Sequence, residues 1–212
     1  MKFKRIAVTA ILAGLFATSA VAADTLNASQ VGNISTANQN LSSEFLTVNW
    51  SGGEQNIGLI QFDLAAYNGQ TVGSATLNLF HRWNGGAGAS FGLFMNTASW
   101  DSGINSWSSA PSHLATPTAV LSITDDNQGI WRSVDVTSAV NSWAHGSVAN
   151  YGFTLQRLDQ DNPFVYFAST ANSGGAPTLS ISAVPEPETY AMMMLGLGIL
   201  GGVARRRSAK QR

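Results

Sequence analysis

Short runs of alternating apolar and polar residues, separated by turns, dominate the chain between residues 46 and 182. In residues 57–64, Ile60, Phe62 and Leu64 fall on one face and Gln61 and Asp63 fall on the other. This period of two is typical of a β-strand with one buried face. Similar runs predict strands at residues 46–50, 74–83, 91–95, 119–123, 130–136, 151–157, 164–168 and 178–182, with a weaker one near residues 26–31. Many short strands joined by turns predict an all-β fold, an antiparallel sandwich.

The strand at residues 74–83 carries the best candidate ligand surface. Its apolar positions 75, 77 and 79 face the core, so Phe80 and Arg82 face outward, and Trp83 follows at the strand end. Sugar rings pack their C–H faces on aromatic planes, and amide or guanidinium groups can donate hydrogen bonds beside them. Phe80, Arg82 and Trp83 are therefore the candidate carbohydrate-binding residues. Further candidates are Trp50, Trp100, Trp107 and Trp131, although burial in the core is the ordinary role of tryptophan.

One short helix interrupts the strands. Val136, Val140 and Trp143 stand at positions i, i+4 and i+7, which gives one apolar stripe of about two turns. Asp135 or Thr137 can cap its start, and the glycine at position 146 can end it. By contrast, residues 97–117 are rich in Ser, Trp and Pro and predict an irregular segment.

The first 23 residues have the pattern of an export signal. Lys2, Lys4 and Arg5 precede an apolar stretch at residues 6–16 that is too short to span a membrane comfortably. Small residues follow, and cleavage is expected after Ala22 or Ala23. The expected partners of this segment are signal peptidase and the export machinery, and residues 24–183 would form the exported domain.

The last 29 residues form a three-part tail. Pro185, Glu186 and Pro187 interrupt the preceding structure, and an apolar run then predicts a single transmembrane helix at residues 189–204. The helix would be roughly 24 Å long, against about 30 Å for a hydrocarbon core, which suggests a transient anchor. The basic end, residues 205–212, favours the cytoplasmic side and begins with Arg205, Arg206 and Arg207.

This tail resembles the PEP-CTERM sorting signal of Gram-negative bacteria. The resemblance covers residues 184–212, with all three parts in order. It implies that exosortase, a membrane protease-transpeptidase, recognises the 185–187 motif and removes the tail. The protein would then be secreted or placed on the cell surface, after a transient stage in the inner membrane. A plain C-terminal anchor is the alternative.

Charge and cysteine content narrow the possible partners. Eight of the 11 basic residues lie in the two terminal segments, so three basic residues face ten acidic ones in residues 24–183. A net charge of −7 argues against nucleic acid as a partner, because phosphate binding requires a basic surface. The chain has no cysteine, so the exported domain must depend on its apolar core for stability.

The middle of the chain carries a series of motifs at residues 58–64 (GLIQFDL), 74–79 (SATLNL), 100–101 (WD), 106–111 (SWSSAP), 134–137 (VDVT), 143, 146 and 151–153 (W, G and YGF), 167–169 (FAS) and 177–179 (PTL). In their order and spacing these motifs resemble the DNRLRE domains, also called family 96 carbohydrate-binding modules. The resemblance implies a jelly-roll-like β-sandwich that binds a surface or matrix polysaccharide. Two departures, Gln61 in place of a usual basic residue and an uncharged 168–170 segment, suggest preference for a neutral polysaccharide.

Residues suited to catalysis do not cluster along the sequence. His81, His113 and His145 are far apart, and the chain contains no H-E-x-x-H or G-x-S-x-G motif. The expectation is therefore a protein that is not an enzyme and that needs no cofactor.

A structural calcium ion is the one metal that the sequence suggests. Asp159, Asp161 and Asn162 place several oxygen atoms within four positions, as Ca²⁺ requires. The alternative is an ordinary turn, because Asp and Asn are also common turn residues.

The sequence thus predicts an exported, sorted surface or matrix protein whose sandwich binds polysaccharide. A purely structural or adhesive matrix protein without a defined carbohydrate ligand is the main alternative. An accessory domain of a polysaccharide lyase or hydrolase is a third interpretation.

Overall fold

Antiparallel strands form nearly all of the described structure. The computed structural model describes residues 23–38, 41–84, 88–104, 106–124, 127–159, 162–172, 175–184 and 193–201. Every strand pair in these ranges is antiparallel. The elements are β1 Asp24–Asn27, β2 Gln30–Ser35, β3 Phe45–Ser51, β4 Glu54–Gln61, β5 Val72–Asn84, β6 Ala89–Met95, β7 Ala119–Ile123, β8 Ile130–Asp135, α1 Thr137–Ala144, β9 Phe153–Arg157, β10 Asn162–Ala168 and β11 Thr178–Ala183.

Two central strands, β5 and β4, organise the two halves of the sandwich. Strand β5 pairs with β8 along one edge and with β11 and then β10 along the other. Strand β4 pairs with β2 along one edge and with β3 and then β9 along the other. The β3–β4 hairpin joins the halves, β1 extends one through β11, and β6 and β7 extend the other through β9.

The core lies between the inward faces of these strands, as the alternating pattern predicts. Leu77 and Leu79 of β5 are fully buried, and so are Phe91, Phe153 and Phe167 from three other strands. Residues 60, 62 and 64 are also buried, while Asp63 between them is exposed. The predicted all-β, antiparallel sandwich is therefore confirmed.

The prediction of a single strand near residues 26–31 is wrong, because two separate strands, β1 and β2, share this region. Strand β1 pairs with β11, whereas β2 pairs with β4 in the other half of the sandwich. The chain changes partner between them: the Ala28 N–H donates to the Pro177 carbonyl (3.0 Å), and the Ser29 N–H donates to the Gln61 carbonyl (2.9 Å). A single strand cannot pair with two separate edges, so the alternation breaks at this crossover.

Helix α1 is present where the sequence predicts it, but its cap differs. Val136, Val140 and Trp143 are all buried, as the apolar stripe requires. The N-cap is Val136, so neither Asp135 nor Thr137 occupies that position. The Asp135 carboxylate nevertheless accepts the Thr137 N–H (2.8 Å) and the Thr137 hydroxyl (2.6 Å). These two hydrogen bonds, chiefly the one from the hydroxyl, lower the pKa of Asp135 below its ordinary value.

The irregular segment predicted at residues 97–117 is confirmed, with one turn of 3₁₀ helix at Trp107–Ser109. It covers the outer face of β2 and β4. Ile34, Ile57 and Leu59 form a small buried cluster there, against which Trp100, Ile104, Trp107 and Ala110 pack.

Parts of the two predicted targeting segments lie outside the described residues. These parts include Ala22, the motif at 185–187, and Arg205, Arg206 and Arg207. Residues 193–201, within the predicted transmembrane helix at 189–204, are helical. Over the part of the chain that the structure describes, no helix has both the length and the apolar character that crossing a membrane requires.

Candidate functional site

A β-bulge in β5 turns two consecutive side chains to the outer face of the sandwich. The β5–β10 register shifts between the pairs Tyr166↔Trp83 and Phe167↔His81, which leaves Arg82 as the extra residue. A bulge sets two residues of one strand against one residue of its partner. Arg82 and Trp83 are consequently both exposed, next to the outward-facing Phe80.

The three predicted residues belong to a larger band of aromatic side chains. The Phe80 ring contacts Trp131 of β8 in an edge-to-face arrangement at 5.3 Å between centroids. The Trp83 ring lies 5.5 Å from Tyr166 of β10. Four adjacent strands, spaced about 4.8 Å apart, give this band a width of roughly 14 Å. We call it the aromatic strip; its members are Phe45, Phe80, Arg82, Trp83, Trp131, Phe164 and Tyr166.

The strip combines exposed rings with rings that are held in place. Trp83 is 45% exposed, Trp131 is 46% exposed and Phe164 is 37% exposed. Tyr166 is half-buried, and its ring packs against Phe45 at 5.6 Å as well as against Trp83. Each pair of neighbouring rings contributes about 1 kcal/mol of stabilisation, so the exposed rings are largely fixed in place before a ligand binds.

Arg82 supplies the positive charge on the strip. Its guanidinium lies 5.7 Å from the centre of the Phe80 ring, within the range of a cation–π contact. Arg82 is exposed, and a guanidinium carries five N–H donors, so the side chain can donate hydrogen bonds to a ligand beside the rings. The predicted residues Phe80, Arg82 and Trp83 thus lie together on one outer face.

A close backbone approach borders the strip. A Cβ atom at Gly175 would lie 2.7 Å from the Cβ of Phe80 and 3.2 Å from the Trp131 ring. Gly175 therefore packs directly against Phe80 and Trp131, and a larger residue there would require one of them to shift.

Three of the further tryptophan candidates, Trp50, Trp100 and Trp107, are not part of the aromatic strip. The Trp100 indole donates to the Tyr151 carbonyl at 2.8 Å and packs against the cluster around Ile34. Trp107 packs against the same cluster. Trp50 is half-buried near the β3–β4 turn, where it pairs with Gln55.

A second concave region lies beside α1 and the end of β4. We call it the α1 groove; it has a volume of about 420 Å³. The Gln61 amide donates to the Asn150 carbonyl (2.8 Å), and the Asn150 amide donates to the Phe62 carbonyl (2.8 Å). The uncharged Gln61 thus ties the loop before β9 to β4. The groove is lined by Ser29, Gln30, Gln61, Phe62, Asp63, Leu64, Ala65, Asn68, Trp143 and Asn150.

One buried donor behind the wall of this groove has no hydrogen-bond partner among the described residues. Trp143 is 5% exposed, and its indole N–H makes no hydrogen bond within the described structure. Buried tryptophan N–H groups normally find an acceptor, and leaving one unmet costs about 1–3 kcal/mol.

At the predicted calcium site, only the Asp159 side chain lies in the described structure. Its carboxylate accepts the Ser90 N–H at 2.8 Å and lies 3.8 Å from the Arg157 guanidinium. These contacts hold the Asp159 side chain against β6 and β9. Asp161 and the side chain of Asn162 lie outside the description, so the calcium site stays a prediction.

Sequence reasoning missed Tyr166, Phe164 and Phe45 as members of the strip. Alternation within residues 164–168 could have placed Phe164 and Tyr166 outward, because Val165 and Phe167 between and beside them are core residues. Their proximity to Trp83 could not be predicted, since it depends on the pairing of β5 with β10.

Two family models match the chain. Residues 17–183 match carbohydrate-binding module family 96, and residues 183–208 match the PEP-CTERM protein-sorting motif. The second match includes Pro185, Glu186 and Pro187 together with the three arginines at 205–207.

The chain is also similar to parts of much longer Bacillus proteins. It is 28% identical over 131 residues to the tRNA nuclease WapA of Bacillus subtilis (strain 168), which covers 60% of this chain and 5% of that protein. It is 31% identical over 102 residues to the tRNA3(Ser)-specific nuclease WapA of Bacillus spizizenii, which covers 46% of this chain and 4% of that protein. The chain therefore spans only a small part of the length of these relatives.

Proposed function

The chain belongs to carbohydrate-binding module family 96, and from this premise we propose that its sandwich binds polysaccharide through the aromatic strip. The observation that carries the proposal is the run of ring contacts from Trp131 through Phe80 and from Trp83 to Tyr166, on one outer face. A preformed row of rings along one outer face suits an extended chain of sugar rings better than it suits a compact ligand.

The preferred polysaccharide is neutral in this proposal. The exported domain carries three basic and ten acidic residues, so its overall field repels polyanions. Arg82 then serves as a hydrogen-bond donor to sugar hydroxyls rather than as the centre of a basic patch. The uncharged Gln61, which is engaged with Asn150, is consistent with this preference.

The PEP-CTERM motif indicates an exported, cell-surface protein and implies exosortase as its processing partner. We propose the finer steps as follows. Signal peptidase removes residues 1–23 in a Gram-negative cell. The 189–204 helix then holds the protein in the inner membrane until exosortase acts at residues 185–187. The destination would be the cell surface or a biofilm matrix.

The role we propose is binding without catalysis. Within the described ranges, no group of three His, Asp or Glu side chains is close enough to hold a metal ion. The WapA proteins are nucleases by name, but the shared region is about a twentieth of their length. That similarity therefore supports a shared module rather than a shared activity.

A structural or adhesive matrix protein without a defined sugar ligand is the second candidate. The same exposed rings at Trp83, Trp131 and Phe164 would serve contacts with other matrix components.

Titration of the full-length chain with a polysaccharide panel tests the choice between these two functions. The chain would be kept in a detergent without a sugar head group, and heat would be measured with neutral glucans and mannans and with acidic alginate. We expect saturable binding to at least one neutral polymer and none to alginate. A folded chain that binds no polymer would favour the structural alternative.

The expected loss of polysaccharide affinity can be worked out for the removal of one ring, that of Trp131. About 46% of Trp131 is exposed, which is roughly 110 Å² of a ~250 Å² side chain, and a stacked sugar covers about half of that. At ~25 cal/mol per Å², Trp131→Ala should weaken binding by about 1.5 kcal/mol, or roughly tenfold. Leu114, which is 43% exposed and lies outside the strip, gives a matched control in Leu114→Ala.

A further inference from the structure

Both targeting segments join the sandwich at the same end. Strand β1 begins at Asp24, next to the predicted signal-peptidase site, and pairs antiparallel with β11, with Asp24 opposite Ile181. Strand β11 ends at Ala183, immediately before the tail. In an antiparallel pair the start of one strand lies beside the end of the other, at a spacing of about 4.8 Å. The chain therefore enters and leaves the domain at neighbouring points.

The domain holds the chain in place up to the first residue of the tail. The Val184 N–H donates to the Thr71 carbonyl at 3.1 Å, and Ala183 pairs with Val72 of β5. A Cβ atom added at Gly73 would lie 3.2 Å from the Val184 side chain, so this side chain packs closely on β5. These contacts fix the backbone as far as residue 184, directly before the 185–187 motif.

Only a short link separates the domain from the proposed membrane helix. The chain from residue 184 to the predicted helix start at residue 189 spans at most roughly 18 Å, even when fully extended. The headgroup layer takes up about 5–8 Å of this on one side of the hydrocarbon core. With the 189–204 helix in the membrane, which is the anchor of the proposed function, this end of the domain must lie within about 13 Å of the headgroups.

Two loops build the surface at this end of the sandwich. The Gly69 N–H donates to the Ala144 carbonyl at 2.8 Å, and the Thr71 hydroxyl lies 3.4 Å from Nε2 of His145. The loop before β5 thus packs on the end of α1, and most of the side chains involved are exposed. We call this surface the terminal face; its members are Asp24, residues 67–71, residues 145–148 and Val184.

The charge of the terminal face suits contact with lipid headgroups. Asp24 is its one acidic residue, its sequence contains no Lys or Arg, and the Asp24 carboxylate accepts the Tyr67 hydroxyl at 2.7 Å. The whole exported domain carries three basic and ten acidic residues, so anionic lipids repel most of its surface at distances below about 10 Å. Exposed Val148 and Val184, with amide and hydroxyl groups beside them, meet far less repulsion.

We propose that the terminal face lies on the lipid headgroups of the inner membrane until the tail is removed. The aromatic strip then points away from the bilayer, because Phe80 and Trp83 lie roughly 25–35 Å along β5 from Val72. The anchored protein therefore presents its proposed polysaccharide site to the side away from the membrane. Polymer binding does not require prior cleavage by exosortase.

Fluorescence quenching by spin-labelled lipid measures the height of chosen residues above the bilayer. The chain contains no cysteine, so one cysteine placed at Gln70 or at Ser51 carries the fluorophore. Gln70 belongs to the terminal face, whereas Ser51 follows Trp50, which lies opposite Asn162 of β10 near the far end of β5. Both side chains are exposed, which makes Ser51→Cys the matched control for Gln70→Cys.

Each full-length variant would be placed in vesicles of phosphatidylethanolamine and phosphatidylglycerol that carry a nitroxide on the headgroup. Flotation on a density gradient first measures whether the bilayer holds the chain. We expect the label at residue 70 to be quenched roughly five times more strongly than the label at residue 51, because the two differ in height by about 30 Å. Ser147→Cys, on the second loop of the terminal face, should be quenched as strongly as Gln70→Cys.

Two results would overturn the proposal. A chain that floats with the vesicles but is quenched equally at residues 70 and 51 would refute the terminal face and leave the proposed anchor intact. A chain that does not float would refute the anchor and the terminal face together. Polysaccharide binding at the aromatic strip is measured separately, so its failure is distinguishable from both results.

Discussion

Gly152 is the position where a single added carbon atom should cost most. Its φ of +75° lies in the left-handed region, and a Cβ there would overlap the Ile60 carbonyl oxygen and lie 2.9 Å from the Cα of Gln61. Gly146 offers a matched control, because its φ is +67° but an added Cβ would meet no described atom within 4 Å apart from those of its own helix end. The variants Gly152→Ala and Gly146→Ala thus share the backbone strain and differ in the steric overlap.

The expected losses of stability follow from these two contributions, backbone strain and steric overlap. Left-handed backbone costs an alanine about 1 kcal/mol, which in a domain of this size lowers the melting temperature by about 3 °C. That is the whole effect expected for Gly146→Ala. Gly152→Ala adds displacement of the 150–152 segment from β4, a further ~2–3 kcal/mol of overpacking. Its melting temperature should therefore fall by about 10 °C.

Thermal unfolding of the full-length variants, followed by near-ultraviolet circular dichroism, measures the difference. The segment around Gly152 also carries the Asn150 and Tyr151 carbonyls that hold Gln61 and Trp100, so those contacts should loosen too. Equal melting temperatures for the two variants would refute the close approach of residues 150–152 to β4.

Three further predictions concern pH, calcium and sorting. Burial, with a smaller contribution from the 2.7 Å hydrogen bond to Asp24, raises the pKa of Tyr67 to about 12. The protonated Tyr67 therefore contributes fully to the free energy of unfolding below pH 10, and this contribution is lost as the pH rises towards 12. Tyr67→Phe should make the free energy of unfolding, measured with a chemical denaturant, fall less between pH 10 and 12. Because the Asp159 carboxylate already forms an ion pair with the Arg157 guanidinium, about 5 mM Ca²⁺ should leave the melting temperature unchanged. A rise of about 3 °C would contradict this. Replacing residues 185–187 with alanines should leave the chain uncut in the inner membrane fraction, and unchanged tail removal on immunoblots would refute exosortase recognition there.

Local patterns predicted most of the strands because burial of one face repeats every second residue. Leu77 and Leu79 are buried and Arg82 is exposed, as alternation requires. The same reasoning predicted α1 from Val140 and Trp143, whose spacing fits a helix. It failed at Ala28, where the chain passes from one half of the sandwich to the other and no local pattern marks the change.

The candidate site could be predicted only in part, because it depends on pairings between distant residues. Phe80 and Trp83 share one strand, so their nearness follows from the sequence. Trp131 joins them through the β5–β8 register, and Tyr166 joins them through β10 and the bulge at Arg82. Such registers are set by the packing of the whole core, which a one-dimensional pattern does not contain.

The most direct test of polysaccharide binding at the aromatic strip is hydroxyl-radical footprinting of the full-length chain with a bound neutral polysaccharide. Oxidation of each side chain would be quantified by mass spectrometry with and without the polymer. We predict strong protection of Trp83, Trp131 and Tyr166, and unchanged oxidation of the equally exposed Leu114. Binding that leaves Trp83 and Trp131 as reactive as in the free protein would contradict the assignment of the strip as the polysaccharide site.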